Sequence, residues 1–193
     1  MNRPAAPAPP GRHLLRPIPE VRRCFGCGPD NPDGLRLDFY LEADRVEGRW
    51  TPTGASEGWQ GLLHGGITAA LHDDAAHWAM VALACATGFT TRMDVRYTAP
   101  IRLGHEVLAT GRIQELGPRR GHFATTIHQD GVLASSAVVE YALMDAARSR
   151  AMMGGVVSDD FARWLDADAA GRLALLLERG RLEGEKRSGP PRI

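Results

Sequence analysis

His64, Gly65 and Gly66 stand just ahead of an apolar run, Ile67-Thr68-Ala69-Ala70-Leu71, and two acids, Asp73 and Asp74, lie one to two helical turns into it. Glycine lets a backbone approach another group closely, and the first N–H groups of a helix have no intrahelical partner. Those donors, at the positive end of the helix dipole, suit a polarised or anionic oxygen. A carboxylate facing the same space would complete a minimal hydrolytic site, one group polarising a carbonyl and the other activating water. The residues fit a plainer arrangement equally well: a turn histidine, and an exposed acid stabilised near a helix start.

The element that must position them is the helix itself. Ile67, Leu71, Ala75, Trp78, Ala82 and Cys85 recur at helical spacing and predict a helix from Ile67 to about Ala86, ended by Gly88 as its C′ residue. With Leu71 as reference, turns of about 100° per residue place Asp73 roughly opposite the apolar stripe, beside Ala69, Ala76, His77 and Met80. Asp73 is then expected to face solvent, a loop or another subunit. Asp74 lies about 100° away from it, and with His72 is expected to be an ordinary surface or interface residue.

Around that helix the chain reads as strands. Leu35 to Leu41 alternates apolar and polar residues, and Arg45 to Trp50 forms a second strand after the Ala43-Asp44 turn. After the helix come Thr91 to Tyr97, Glu106 to Leu116, Gly121 to Gln129 and Val132 to Met144, with Asp130-Gly131 as a tight hairpin signal. Strand–strand–helix–four strands is an α+β order with a mostly antiparallel sheet. Beyond Met144, Ser158-Asp159-Asp160 caps a short helix to Leu165, and a second helix starts at Asp166 or Asp168 and runs to Glu183. The division is a flexible Pro-rich leader (1–22), a sheet domain (23–146), and a C-terminal helical extension and tail (147–193).

Composition narrows the partners. Apolar residues make up 44% and charged residues 24%, with a formal net charge of +0, which gives no sign of a nucleic-acid partner. No apolar run has membrane-span length, and the Ala/Pro-rich start, Met1 to Pro10, does not resemble a signal peptide, so the expected location is cytoplasmic with free thiols. Three cysteines are present, Cys24 and Cys27 in Cys-Phe-Gly-Cys-Gly and Cys85 inside the helix. The Cys-x-x-Cys pair could be half of a zinc site, a redox pair or a compact knuckle; structural zinc wants four ligands, and no second pair follows, so the plain knuckle is favoured and no metal or cofactor is expected.

His64-Gly65-Gly66-Ile67 and Leu71-His72-Asp73-Asp74, in that element order, resemble the hotdog-fold acyl-CoA thioesterases of the phenylacetate-pathway (PaaI-like) group. The resemblance runs from about Cys24 to Met144 and includes Cys24-Phe25-Gly26-Cys27-Gly28 and Asn31-Pro32-Asp33-Gly34-Leu35. It implies one long helix wrapped by a curved antiparallel sheet, a homodimer or homotetramer, and active sites at the dimer interface. Carried over, Asp73 is the general base or nucleophile, a Gly65 or Gly66 N–H polarises the thioester carbonyl, and His64 orients the turn. Thr90 or Thr91 falls where members place a water-positioning hydroxyl. Arg119 and Arg120 are candidates for the CoA phosphates, and His77 for substrate contact one turn beyond Asp73. Relatives often carry Asn or Gln six or seven residues before the histidine; here Glu57 and Gly58 stand there, with Gln60 as a substitute, and Glu57 is expected to lie near Asp73 as a second acid. The implied activity is hydrolysis of an acyl-CoA or acyl-carrier thioester. Two further classes stay open: a hotdog protein that binds acyl thioesters without cleaving them, or acts on them differently, and a metal-dependent interaction module built on Cys24 and Cys27.

Overall fold

The structure is a computed structural model and describes residues 11–188. Residues 1–10 and 189–193, which the sequence assigns to leader and tail, lie outside them. Strands β1 (Arg12–Leu15), β2 (Asp38–Glu42) and β3 (Arg45–Trp50) precede helix α1 (Gly65–Ala82). Then come β4 (Thr87–Tyr97), β5 (Val107–Leu116), β6 (Arg120–Gln129) and β7 (Val132–Met144). Helices α2 (Ala146–Met152), α3 (Asp159–Asp166) and α4 (Ala169–Ser188) close the described chain.

The seven strands form one antiparallel sheet in the order β1-β2-β3-β5-β6-β7-β4. Helix α1 packs against strands along the sheet from β2 to β4, so the sheet wraps the helix in a hotdog fold with a C-terminal helical extension. The apolar stripe lies in the core as its spacing predicts: Leu71, Ala75, Trp78, Ala82 and Cys85 are buried. The opposite side is covered too. Ala76, Ala79 and Met80 are fully buried, because a single helix in a curved sheet has little surface left for water.

Several expectations are corrected. Arg12–Leu15 is not loose leader but an edge strand paired with β2, and helix α4 continues to Ser188, five residues beyond the expected end. Gly88 does not end α1; it lies in β4, where a Cβ would collide with the Ala142 carbonyl on β7 and press on the Met80 sulfur. The turn after α1 is made instead by Cys85, in the left-handed region at φ 47. Helix α2, capped by the Asp145 carboxylate on the Arg148 N–H, was not expected at all. The hairpin at Asp130-Gly131 holds: both residues have positive φ, 51 and 79, as a primed turn requires. Among the described residues no helix is long and apolar enough to cross a membrane.

Candidate active site

His64 is the N-cap of α1. Its backbone is extended, and its Nδ1 accepts the Gly66 N–H at 2.9 Å. A Cβ at Gly66 would sit 3.0 Å from that nitrogen, so the glycine makes room for the capping ring. The cap uses up the Gly66 donor. The Gly65 N–H makes no hydrogen bond among the described residues, as expected of the first helical position, while the Gly65 carbonyl accepts from the Tyr97 hydroxyl at 2.9 Å. The loop before it is fixed by its own backbone: Leu63 N–H donates to the Ile101 carbonyl and His64 N–H to that of Ser56.

Asp73 is half-buried, and its carboxylate is held from the sheet. Thr90 on β4 donates its hydroxyl to Oδ1 at 2.6 Å, and Tyr141 on β7 donates to the same oxygen at 3.1 Å and to the Asp73 carbonyl at 3.0 Å. Both side-chain bonds fall on Oδ1, which leaves Oδ2 for another partner. Burial, and then the charge of Asp73, push the Tyr141 phenol far above its ordinary range, so it remains a donor. Tyr141 is 2% exposed and stacks edge-on against Phe123 at 5.7 Å, which fixes its ring.

The eight residues from Gly65 to Asp73 span ~12 Å of helix axis. The free amide and the held carboxylate of one chain are therefore too far apart to act together on one carbonyl. Strand β4, which carries Thr90, is a terminal strand of the sheet, and Phe89 and Tyr97 on it are 52% and 54% exposed.

The remaining sequence candidates fall elsewhere. Thr91 sits at a bulge between Thr90 and Arg92 and turns to Glu140, donating to its Oε1 at 2.5 Å. Arg120 pairs with the same Glu140 at 3.3 Å, and the Arg119 side chain is exposed. Glu57 folds back on its own loop, its Oε1 accepting the Gly61 N–H at 2.6 Å, and Gln60 is exposed in that loop. His77 is half-buried and edge-on to Trp78 at 6.0 Å. It borders an apolar cavity of about 190 Å³ between α1, the start of β4 and the C-terminal helices, lined also by Trp78, Met80, Val81, Phe161 and Trp164.

Residues 60–135 match the family model of the Thioesterase superfamily. No curated protein matches the chain at a significant level. Among solved structures, a thioesterase superfamily protein is 26% identical, covering 71% of this chain and 69% of its own, with a TM-score of 0.60. Zebra fish thioesterase superfamily member 2 is 21% identical over 65% of this chain and 94% of its own, with a TM-score of 0.55. A Streptococcus mutans protein crystallised with acetyl CoA is 19% identical over 56% of this chain and 88% of its own, with a TM-score of 0.51. The fold is a hotdog, and residues 60–135 resemble the thioesterase superfamily.

The matched segment contains His64, Gly65, Gly66, Asp73 and Thr90, but neither Tyr141 nor the Cys24–Cys27 knuckle. Sequence reasoning missed Tyr141; the only signal was its inward parity with Val139 on β7. It also misplaced two neighbours of Asp73. His72 is fully buried, its ring bonded to the Thr125 hydroxyl at 2.7 Å and the Ser135 hydroxyl at 2.8 Å, and burial lowers its pKa to about 4, so it is neutral and structural. Asp74 is 8% exposed and lies against the knuckle, where burial raises its pKa well above the usual carboxylate range. Cys24, Cys27 and Cys85 form no disulfide with one another.

Proposed function

We propose that this protein hydrolyses acyl thioesters, carried on CoA or on a carrier protein, at a site completed by two copies of the chain. The observation that carries this is Asp73: a half-buried carboxylate, oriented by two hydroxyls with one oxygen left over, inside the segment that matches the thioesterase superfamily. In this reading Asp73 acts as general base on a water, or attacks the thioester carbonyl to give an anhydride. Thr90 and Tyr141 position it. The Gly65 N–H, at the positive end of α1, stabilises the oxyanion as the tetrahedral centre forms. A thiolate is a good leaving group, so no strong general acid is needed. His64 acts through the turn by holding the Gly66 N–H.

The ~12 Å between donor and base is the physical reason for two copies, since one carbonyl can reach both only if Asp73 comes from one chain and Gly65 from the other. An eleven-residue terminal strand with exposed aromatics also invites strand-to-strand pairing through β4. The chain is therefore expected to sediment as a dimer, or a dimer of dimers, at micromolar concentration; a monomer that hydrolyses thioesters would rule this site out. The apolar cavity beside His77 is the place for the acyl group, and the Streptococcus mutans fold relative crystallised with acetyl CoA makes CoA the first carrier to test.

The deciding experiment is thiol release from a panel of acyl-CoAs and acyl-carrier proteins of differing acyl length and aromaticity. Turnover with at least one is expected. Saturable binding without thiol release would favour the non-hydrolytic reading, consistent with Glu57 standing where relatives place a carbonyl-polarising amide.

A further inference from the structure

We propose that Cys24, Cys27 and Asp74 form a zinc site that ties the N-terminal knuckle to helix α1, one residue from Asp73. The two sulfurs and a carboxylate oxygen all lie within 4.8 Å of one another, and Cys24 Sγ is 3.7 Å from Asp74 Oδ1. Bond lengths of about 2.3 Å to sulfur and 2.0–2.2 Å to oxygen put tetrahedral donors roughly 3.5–3.8 Å apart, so only small rotations are needed to close on one ion. Two sulfurs and one oxygen suit zinc better than magnesium or calcium, which take oxygen alone. Three protein donors leave the fourth position to solvent.

Three independent features of the chain point to this site. The knuckle backbone is wound around the Cys24 sulfur, to which the Gly26 and Cys27 N–H groups are directed, and it is closed by the Gly28 N–H on the Cys24 carbonyl at 3.0 Å. Leu35 and Leu37 N–H groups then bond the Phe25 and Gly26 carbonyls at 2.7 and 2.9 Å, so the loop is held from both sides. Gly26 is the position that admits the third donor, since a Cβ there would fall on the Asp74 carboxylate. Finally, Asp74 is buried, and among the described residues no arginine or histidine pairs with it. Buried against two sulfurs, this carboxylate can stay ionised only beside a compensating cation, which a bound metal would supply.

The sequence favoured a plain knuckle because it offered only two ligands at finger spacing. The third comes from a helix fifty residues later, which spacing does not reveal.

The test needs no substrate, so it stands apart from the hydrolytic reading. The full-length chain, stripped with chelator and kept reduced, is titrated with cobalt(II) and followed by its thiolate-to-metal charge-transfer band, then displaced with zinc. We expect about one metal per chain, with the band lost in Cys24→Ser and Cys27→Ser. Asp74→Asn should weaken binding by no less than the ~10- to 100-fold typical of outer-sphere partners. Because a variant could misfold, the wild-type chain is also alkylated with and without zinc; zinc should slow modification of Cys24. Absence of a band from the reduced wild-type chain, unchanged alkylation, or wild-type affinity in a folded Asp74→Asn variant would each overturn the site. A Cys24–Cys27 disulfide formed without metal uptake would replace it with a redox pair.

Discussion

Asp73→Asn is expected to lower thioester turnover by about 10²- to 10⁴-fold, the range lost when a positioned base is removed. The amide keeps the size of the carboxylate, and its oxygen can still accept from Thr90 and Tyr141, so fold, dimer and melting temperature should change little. The loss should appear in kcat and kcat/KM alike, since the missing interaction develops only in the transition state. Thr90→Val separates the carboxylate from its orientation: it leaves the acid but removes one of two hydroxyls on Oδ1, and should cost less than Asp73→Asn. Wild-type turnover in a folded Asp73→Asn chain would remove Asp73 from the mechanism.

Gly65→Pro is the second large effect, expected at about 10²- to 10³-fold in kcat, the usual cost of one oxyanion donor. Proline is tolerated at the first helical position, where the N–H has no helical partner, and His64 already has the extended backbone (φ -64, ψ 134) that a residue before proline adopts. The substitution therefore deletes the donor with little demand on the fold, which Gly66→Val does not, because a side chain at 66 crowds the His64 cap. Melts of the variant check that the helix start survives. Mixing Gly65→Pro with Asp73→Asn then tests the shared site. In a mixed dimer one site carries both lesions and the other carries neither, so random exchange should restore about a quarter of wild-type activity. A site built within one chain would give no recovery. Retained turnover in a folded Gly65→Pro chain would place the oxyanion donor elsewhere.

The strands after α1 were legible because alternation survives wherever one sheet face is buried, and the Asp130-Gly131 turn is stereochemically narrow. Strand β1 was hidden by its length, four residues between prolines, with pairing supplied by β2 far along the chain. His72 and Asp74 were misjudged for a single reason: a helical wheel assumes one buried face, whereas this sheet encloses the helix on several. The choice between Thr90 and Thr91 depended on a bulge. One extra residue swaps which hydroxyl points at α1, and nothing in Thr-Thr-Arg announces it. Tyr141 lies sixty-eight residues from Asp73, so only the packing of α1 on β7 brings the two together.

The two ends of the sheet differ in a way that governs how many molecules can join. At the β1 end α4 lies against the strand and is fastened by Arg22 to Glu183 at 3.0 Å, with Arg16 close to the same carboxylate. At the β4 end an eleven-residue strand is left with exposed aromatics and, among the described residues, no further strand beside it. A protein sticky at both margins would add copies indefinitely and form fibres; one sticky at a single margin can only meet its mirror in function, related by a two-fold axis, and growth stops there. If the chain pairs through β4 as proposed, the helical extension would act as a terminator of strand addition, and trimming α4 is expected to replace a closed pair with open-ended association, which sedimentation would read.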